Sequence, residues 1–299
     1  MNDAQKDKVA EAKQTAAKAP PPVKAREGVG EFIRTLIYAL LIAVAIRSFT
    51  FQPFNIPSGS MIPTLYIGDY LFVSKYAYGF SRYSFPFGPP LFKGRVWKSA
   101  PERGDIAVFK WPYDNSTDYI KRVIGLPGDR IQMRGGRLYL NGVAVARAQV
   151  ADFVTPITPN MPCKGAPTAL ADGTPACRYA QYRETLPNGR SYMTLSYWDN
   201  GENDNTGVFQ VPAGHYFMMG DNRDDSSDSR VPVFSRNRAG DLMFTRGVGF
   251  VPEANLVGRA EVIFFSTDGT ARLWTPWRWV AAMRFERFFN SLRQSDERS

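Results

Sequence analysis

Two hydroxyls separated by one glycine, Ser58-Gly59-Ser60, sit between Pro57 and Met61-Ile62-Pro63. Glycine permits tight backbone geometry and the prolines stiffen the surroundings, as a nucleophilic serine with N–H donors aimed at an oxyanion requires. The same residues would also make a plain loop, and the G-x-S-x-G elbow is absent around Ser60. A lysine follows in a β-type run, Asp118-Tyr119-Ile120-Lys121-Arg122-Val123-Ile124-Gly125, which ends at a Pro127-Gly128 turn. If Lys121 faces the core, desolvation lowers its pKa, and a neutral lysine can take a proton from a serine. Arg122 then falls on the opposite face of a regular strand. The alternative is a solvent-facing Lys-Arg pair on an edge strand.

A third segment, Gly220-Asp221-Asn222-Arg223-Asp224-Asp225-Ser226-Ser227-Asp228-Ser229-Arg230, is dense in charge and hydroxyls. It suits a hydrogen-bonded network around a site, or a solvated turn; the EF-hand pattern is missing, which argues against calcium. His215 is the single histidine, so a multi-histidine metal site is excluded, and it reads as a structural strand residue. No metal and no cofactor are expected. Cys163 and Cys177 do not form C-x-x-C. They could close one disulfide in an oxidising compartment or remain two thiols in a reducing one.

The elements that must position these residues are mostly strands. Short β-rich runs recur at 70–73, 105–109, 137–140 and 260–265, separated by turn signals such as Asn141-Gly142 and Pro187-Asn188-Gly189. A mainly β region of folded antiparallel sheets or barrel type is expected over 52–275. Within it, 132–208 reads as an inserted β subdomain and 231–248 as an inserted loop or hairpin. The net charge is +9 with a pI near 9.5, which suits nucleic acid or an anionic membrane surface. Much of that charge lies in the tails and no nucleic-acid motif is present, so nucleic acid is set aside.

Residues 1–28 read as a disordered tail, too poor in apolar surface to offset the entropy of folding. The apolar run 35–46 between Arg34 and Arg47 is shorter than the ~20 residues a spanning helix needs. It extends through Phe32-Ile33 and Ser48-Phe49-Thr50-Phe51, and both arginines could snorkel, so 29–51 reads as a transmembrane anchor. A cleaved signal peptide fits less well, because Ala43-Val44-Ala45 lies inside the apolar run. The lysines and arginines before the run put the N-terminus in the cytoplasm. An aromatic loop from Tyr76 to Phe92 suits a membrane interface. An amphipathic helix and tail are expected over 276–299, with Trp277, Val280, Ala281, Phe285, Phe288 and Leu292 on one face. That helix would lie on a membrane or pack on the β region.

Taken in order, the anchor, PSGSMIPTL with IGDYLFVSKYAYG, RGDIAVFK, YIKRVIGLPGD, YFMMGDNRDDSSDSR and FVPEANLVGRA resemble the type I signal peptidases, in their bacterial leader peptidase branch. The resemblance implies a signal-peptidase-like β fold with an N-terminal transmembrane helix. It implies a serine endopeptidase of the bacterial inner membrane, single-pass, with its catalytic domain periplasmic or extracytoplasmic. Its partners would be the signal peptides of preproteins, cut after Ala-X-Ala; no oligomeric state is implied. By the same matching Ser60 is the nucleophile and Lys121 the general base, with Ser58 and the Ser60 N–H as oxyanion hole. Ser226 orients the lysine, and Asp228 and Arg230 pair in support. Phe54, Ile56, Met61, Leu65, Leu71, Val108, Tyr119 and Ile120 line pockets whose shallow apolar walls favour alanine. Relative to the family's short version, 231–248 is an insertion, and the cysteine spacing is wider than in the enterobacterial member. The rival readings are a self-cleaving repressor-type peptidase, which would carry a DNA-binding region and no anchor, and a membrane-tethered non-enzymatic β binding module.

Overall fold

The computed structural model describes residues 28–85, 88, 94–198, 201–236, 241–271 and 274–293. The expected tail, apart from Gly28, lies outside the described residues, as does part of the aromatic loop. The chain divides into two compact units, Met1–Val44 and Ala45–Ser299. Helix α1 (Val29–Phe49) occupies the expected anchor position, and every side chain from Val29 to Ala45 is exposed. Among the described residues, no helix is long and apolar enough to cross a membrane.

In the second unit a seven-stranded sheet carries the chemistry-bearing segments. Its strands are β1 (Phe51–Asn55), β2 (Asp69–Ser74), β3 (Ile106–Lys110), β4 (Asp118–Gly125), β5 (His215–Met219), β6 (Val251–Pro252) and β7 (Leu256–Ser266). They run in the order β1-β2-β7-β3-β4-β5-β6, with every neighbouring pair antiparallel. Register shifts at Tyr70/Leu71 and Phe72/Val73 let the long β7 bend across β2. Strand β4 is interior, and from Ile120 to Gly125 every residue is buried. Ile120 packs with Met61, Leu71 and Val108 in one core cluster, and Ile124 with Ile131, Leu138 and Phe217 in another.

Residues 130–210 form two further sheets. A four-stranded sheet orders Phe209–Gln210, Arg130–Arg134, Arg137–Leu140 and Val143–Ala144. A five-stranded sheet gathers Ala146–Gln149, Phe153–Pro156, Ala166–Ala169 and Ser191–Ser196 around the long strand Pro175–Thr185. Cys163 and Cys177 are joined there as a disulfide, with Cα atoms 5.3 Å apart.

The amphipathic helix expected over 276–299 is not what the structure has. Over 274–293 the chain makes a 3₁₀ turn (Pro276–Arg278), a four-residue helix (Trp279–Ala282) and a second 3₁₀ turn (Phe285–Arg287). Two arginines of this segment, Arg284 and Arg287, are turned inward. Arg287 holds Asp69, with Nε donating to Oδ1 at 3.0 Å, and Arg284 Nη2 donates to Ile67 O at 2.6 Å. Because β7 outruns β3, its free edge takes up 289–292: Phe289 N donates to Ile263 O at 2.7 Å and Leu292 N to Glu261 O at 2.8 Å. Unsatisfied backbone groups on a long strand thus outcompete the helical period.

Candidate active site

Ser60 lies in a short 3₁₀ turn, Gly59–Met61, just after β1, and Lys121 lies on β4. Their contact joins segments 61 residues apart: Lys121 Nζ is 2.7 Å from Ser60 Oγ. The amine also donates to Ile120 O at 2.9 Å, and the Tyr119 ring centroid is 5.5 Å away. Lys121 is 3% exposed. Burial pulls its ammonium down from 10.5 to about 8, against the pull of the Asp228, Asp221 and Asp225 carboxylates, which favour the charged form. Ser58 Oγ stands 3.5 Å from Ser60 Oγ.

The Gly220–Arg230 loop clamps the serine turn from the other side. Asn222 N donates to Ser60 O at 3.1 Å, and Asn222 Nδ2 to Gly59 O at 2.9 Å and to Tyr197 Oη. Gly220 is packed so closely that a Cβ there would lie 2.5 Å from Ser60 O and 2.2 Å from Ser226 Oγ. Asp228 accepts from Arg230 Nε and Nη2, both at 2.9 Å, and from Gly220 N at 3.0 Å. Burial pushes the Asp228 carboxyl up, but the Arg230 guanidinium outweighs it and holds the group below its ordinary value.

Arg122 is buried too, a residue the strand alternation had placed merely opposite the lysine. Its Nε donates to Asp221 Oδ1 at 2.8 Å, and its Nη2 to Oδ2 at 2.6 Å. Asp221 also accepts from Thr64 Oγ1 at 2.6 Å, so one carboxylate links β4 to the segment after the serine. Arg223 pairs with Glu184 at 2.8 and 2.6 Å, which ties the loop to the five-stranded sheet. Asn222, Asp221 and Arg122 were not singled out as site residues. Their signal in the sequence was the density of charge at 220–230, which does not say which members reach which strand.

The structure differs from two assignments. Ser226 Oγ makes no hydrogen bond with Lys121; it lies buried beside Gly220 and the Asp228 carboxylate. Of the eight residues assigned to the apolar pockets, Phe54, Ile56, Val108, Tyr119 and Ile120 line a cleft of about 790 Å³ that opens on Ser60 and Lys121. Met61, Leu65 and Leu71 do not; each is 0% exposed in the core cluster that also holds Ile56, Val108 and Ile120. Asp224 to Ser227, Arg230 to Pro232, and Thr245 also line this cleft.

The profile of the signal peptidase family, peptidase S26, matches residues 29–265. Signal peptidase I of Rickettsia typhi is 38% identical over 291 residues, which is 92% of this chain and 98% of that protein. Signal peptidase I of Rickettsia massiliae is 37% identical over 279 residues, 88% of this chain and 92% of that one. The crystal structure of a signal peptidase I from Enterococcus faecalis is 24% identical and covers 54% of this chain and 97% of its own, at a TM-score of 0.27.

Proposed function

We propose that this chain, which belongs to the signal peptidase family, peptidase S26, removes the signal peptides of preproteins by acyl transfer through Ser60 and Lys121. It is a serine peptidase. The observation that carries the mechanism is the 2.7 Å contact between Ser60 Oγ and an amine whose burial brings its pKa to about 8.

Neutral Lys121 accepts the Ser60 proton as Oγ attacks the carbonyl before the cut. The Ser58 hydroxyl and the Ser60 N–H donate to the oxyanion. The ammonium then gives its proton to the departing amine of the mature protein. The same nitrogen, neutral again, takes a proton from the water that releases the leader. Asn222 and Asp228–Arg230 hold the two loops at the spacing this transfer needs. Phe54, Ile56, Val108, Tyr119 and Ile120 offer shallow apolar walls, which supports a preference for alanine at the first and third residues before the cut.

The membrane placement is part of the same reading. Helix α1 exposes Phe32, Ile33, Leu36, Ile37, Leu40, Leu41 and Ile42 together, a surface that suits lipid. It would anchor the chain once in a bacterial inner membrane, N-terminus cytoplasmic, with the β region outside and near an anionic surface. The test is a pH–rate profile for cleavage of an Ala-X-Ala preprotein. kcat/KM should rise with pH and level off above a midpoint near the Lys121 value of about 8. A profile flat through that range sinks the dyad.

A further inference from the structure

The hairpin Phe234–Arg236 with Leu242–Phe244 follows directly on the catalytic loop and leaves large apolar side chains in the open. Phe234 is 41% exposed, Leu242 64% and Phe244 45%. These rings continue inward as an unbroken aromatic ridge. Phe244 meets Phe234 at 5.6 Å between centroids, Tyr113 at 5.1 Å and Trp111 at 5.7 Å. Trp111 in turn stacks on Tyr119 at 5.6 Å, and Tyr119 borders Lys121. The hairpin's base is fixed to the site: Trp111 Nε1 donates to Gly247 O at 2.9 Å, and Ser227 Oγ donates to Arg246 O at 2.7 Å. Val231, Pro232 and Thr245, at the two roots of the hairpin, are themselves part of the cleft wall.

We infer that this hairpin and ridge form a subsite for a large apolar side chain, aromatic or aliphatic, within the first few residues after the cut. The inference rests on the peptidase reading above. Residues before the cut use the wall of Phe54, Ile56, Val108 and Ile120. The leaving segment must depart past Lys121, which protonates it, and the remaining lining there is Ser226, Ser227, Arg230, Val231, Pro232 and Thr245. A chain following that lining arrives on Phe234, Phe244 and Tyr113. Aromatic rings presented edge and face at 5–6 Å favour apolar and ring side chains over charged ones. Continuity with the cleft favours the substrate over a lipid surface as the occupant.

The experiment compares two peptides identical up to the cut, with alanine or phenylalanine as the third residue after it, cleaved by the full chain. The phenylalanine peptide should have a higher kcat/KM by about tenfold, mainly through KM. F234S/F244S should bring the ratio close to one, and F234L/F244L should keep it. Because two serines could unfold the hairpin, Tyr113→Ala supplies a second reading, with the ratio falling roughly threefold. Cleavage of both peptides at equal rates by the unaltered enzyme overturns the subsite and leaves the peptidase reading standing. Cleavage of neither overturns both. A ratio that survives F234S/F244S, or loss of binding to phosphatidylglycerol vesicles with the ratio intact, also overturns it; the latter would make the hairpin a lipid contact.

Discussion

Lys121 and Arg122 are neighbours on one strand, buried to nearly the same degree, at 3% and 2% exposure, and the two faces treat their charges in opposite ways. On the face of Arg122, Asp221 meets the guanidinium with both oxygens, Gly104 O accepts from Nη1 at 2.8 Å, and the Tyr192 ring lies 4.3 Å from the guanidinium carbon. The charge is kept because it is matched. On the face of Lys121 no carboxylate comes within ion-pair distance among the described residues, and the amine's partners are a hydroxyl and a carbonyl. Its ammonium is disfavoured because it is unmatched, and its pKa falls to about 8. Burial alone therefore does not make a base; burial without a counter-ion does, and the strand achieves both outcomes one residue apart.

The contrast can be broken at several points. The largest effect falls on the unmatched face: Ser60→Ala or Lys121→Ala should lower kcat by about 10⁴-fold or more, read on a preprotein substrate. Activity within tenfold of the unaltered chain would remove both residues from the chemistry. On the matched face, Asp221→Ala strands a buried guanidinium and should cost about 3–5 kcal/mol in urea unfolding. A cost under about 1 kcal/mol would mean Arg122 is not held as described. Lys121→Met should do the reverse and stabilise the fold. The folded pKa of about 8 lies below the ordinary 10.5, so the unfolded chain binds the proton more tightly. The native lysine therefore costs stability below pH 8 and recovers it as pH climbs through 8 towards 10.5. The advantage of Lys121→Met should be on the order of 3 kcal/mol at neutral pH and close in alkali; an advantage independent of pH would point to packing instead. The smallest effect sharpens the comparison: Asp225→Asn removes a carboxylate that favours the ammonium and leaves its partner Lys164 positive. The acid limb of the pH–rate profile should move down by less than about one unit. A shift upward would contradict the assigned electrostatics.

Much of this site was legible from residue types. A Ser-Gly-Ser turn after an apolar run, a lysine in a β-type stretch and a loop crowded with charge pointed to a base, a nucleophile and a network. The strands at 70–73, 105–109, 137–140 and 260–265 were legible from their apolar content. What was hidden depends on contacts far apart in the chain. Alternation says that Arg122 faces away from Lys121, but not that Asp221, 99 residues on, waits there. Met61, Leu65 and Leu71 have the chemistry of a pocket wall, and only packing shows that they lie in the core with Val73 and Ile263. The period of 277–292 was real as a pattern. It lost to Asp69, which draws Arg287 inward, and to the unpaired edge of β7.

Gly220 has a consequence for how this site can vary. No side chain sets the gap at this point: the bare main chain of Gly220 rests against the Ser60 carbonyl. Nothing interposed can be exchanged for something slightly shorter or longer. Evolutionary tuning of this enzyme would have to act at the rim of the cleft, since the joint itself admits no adjustment.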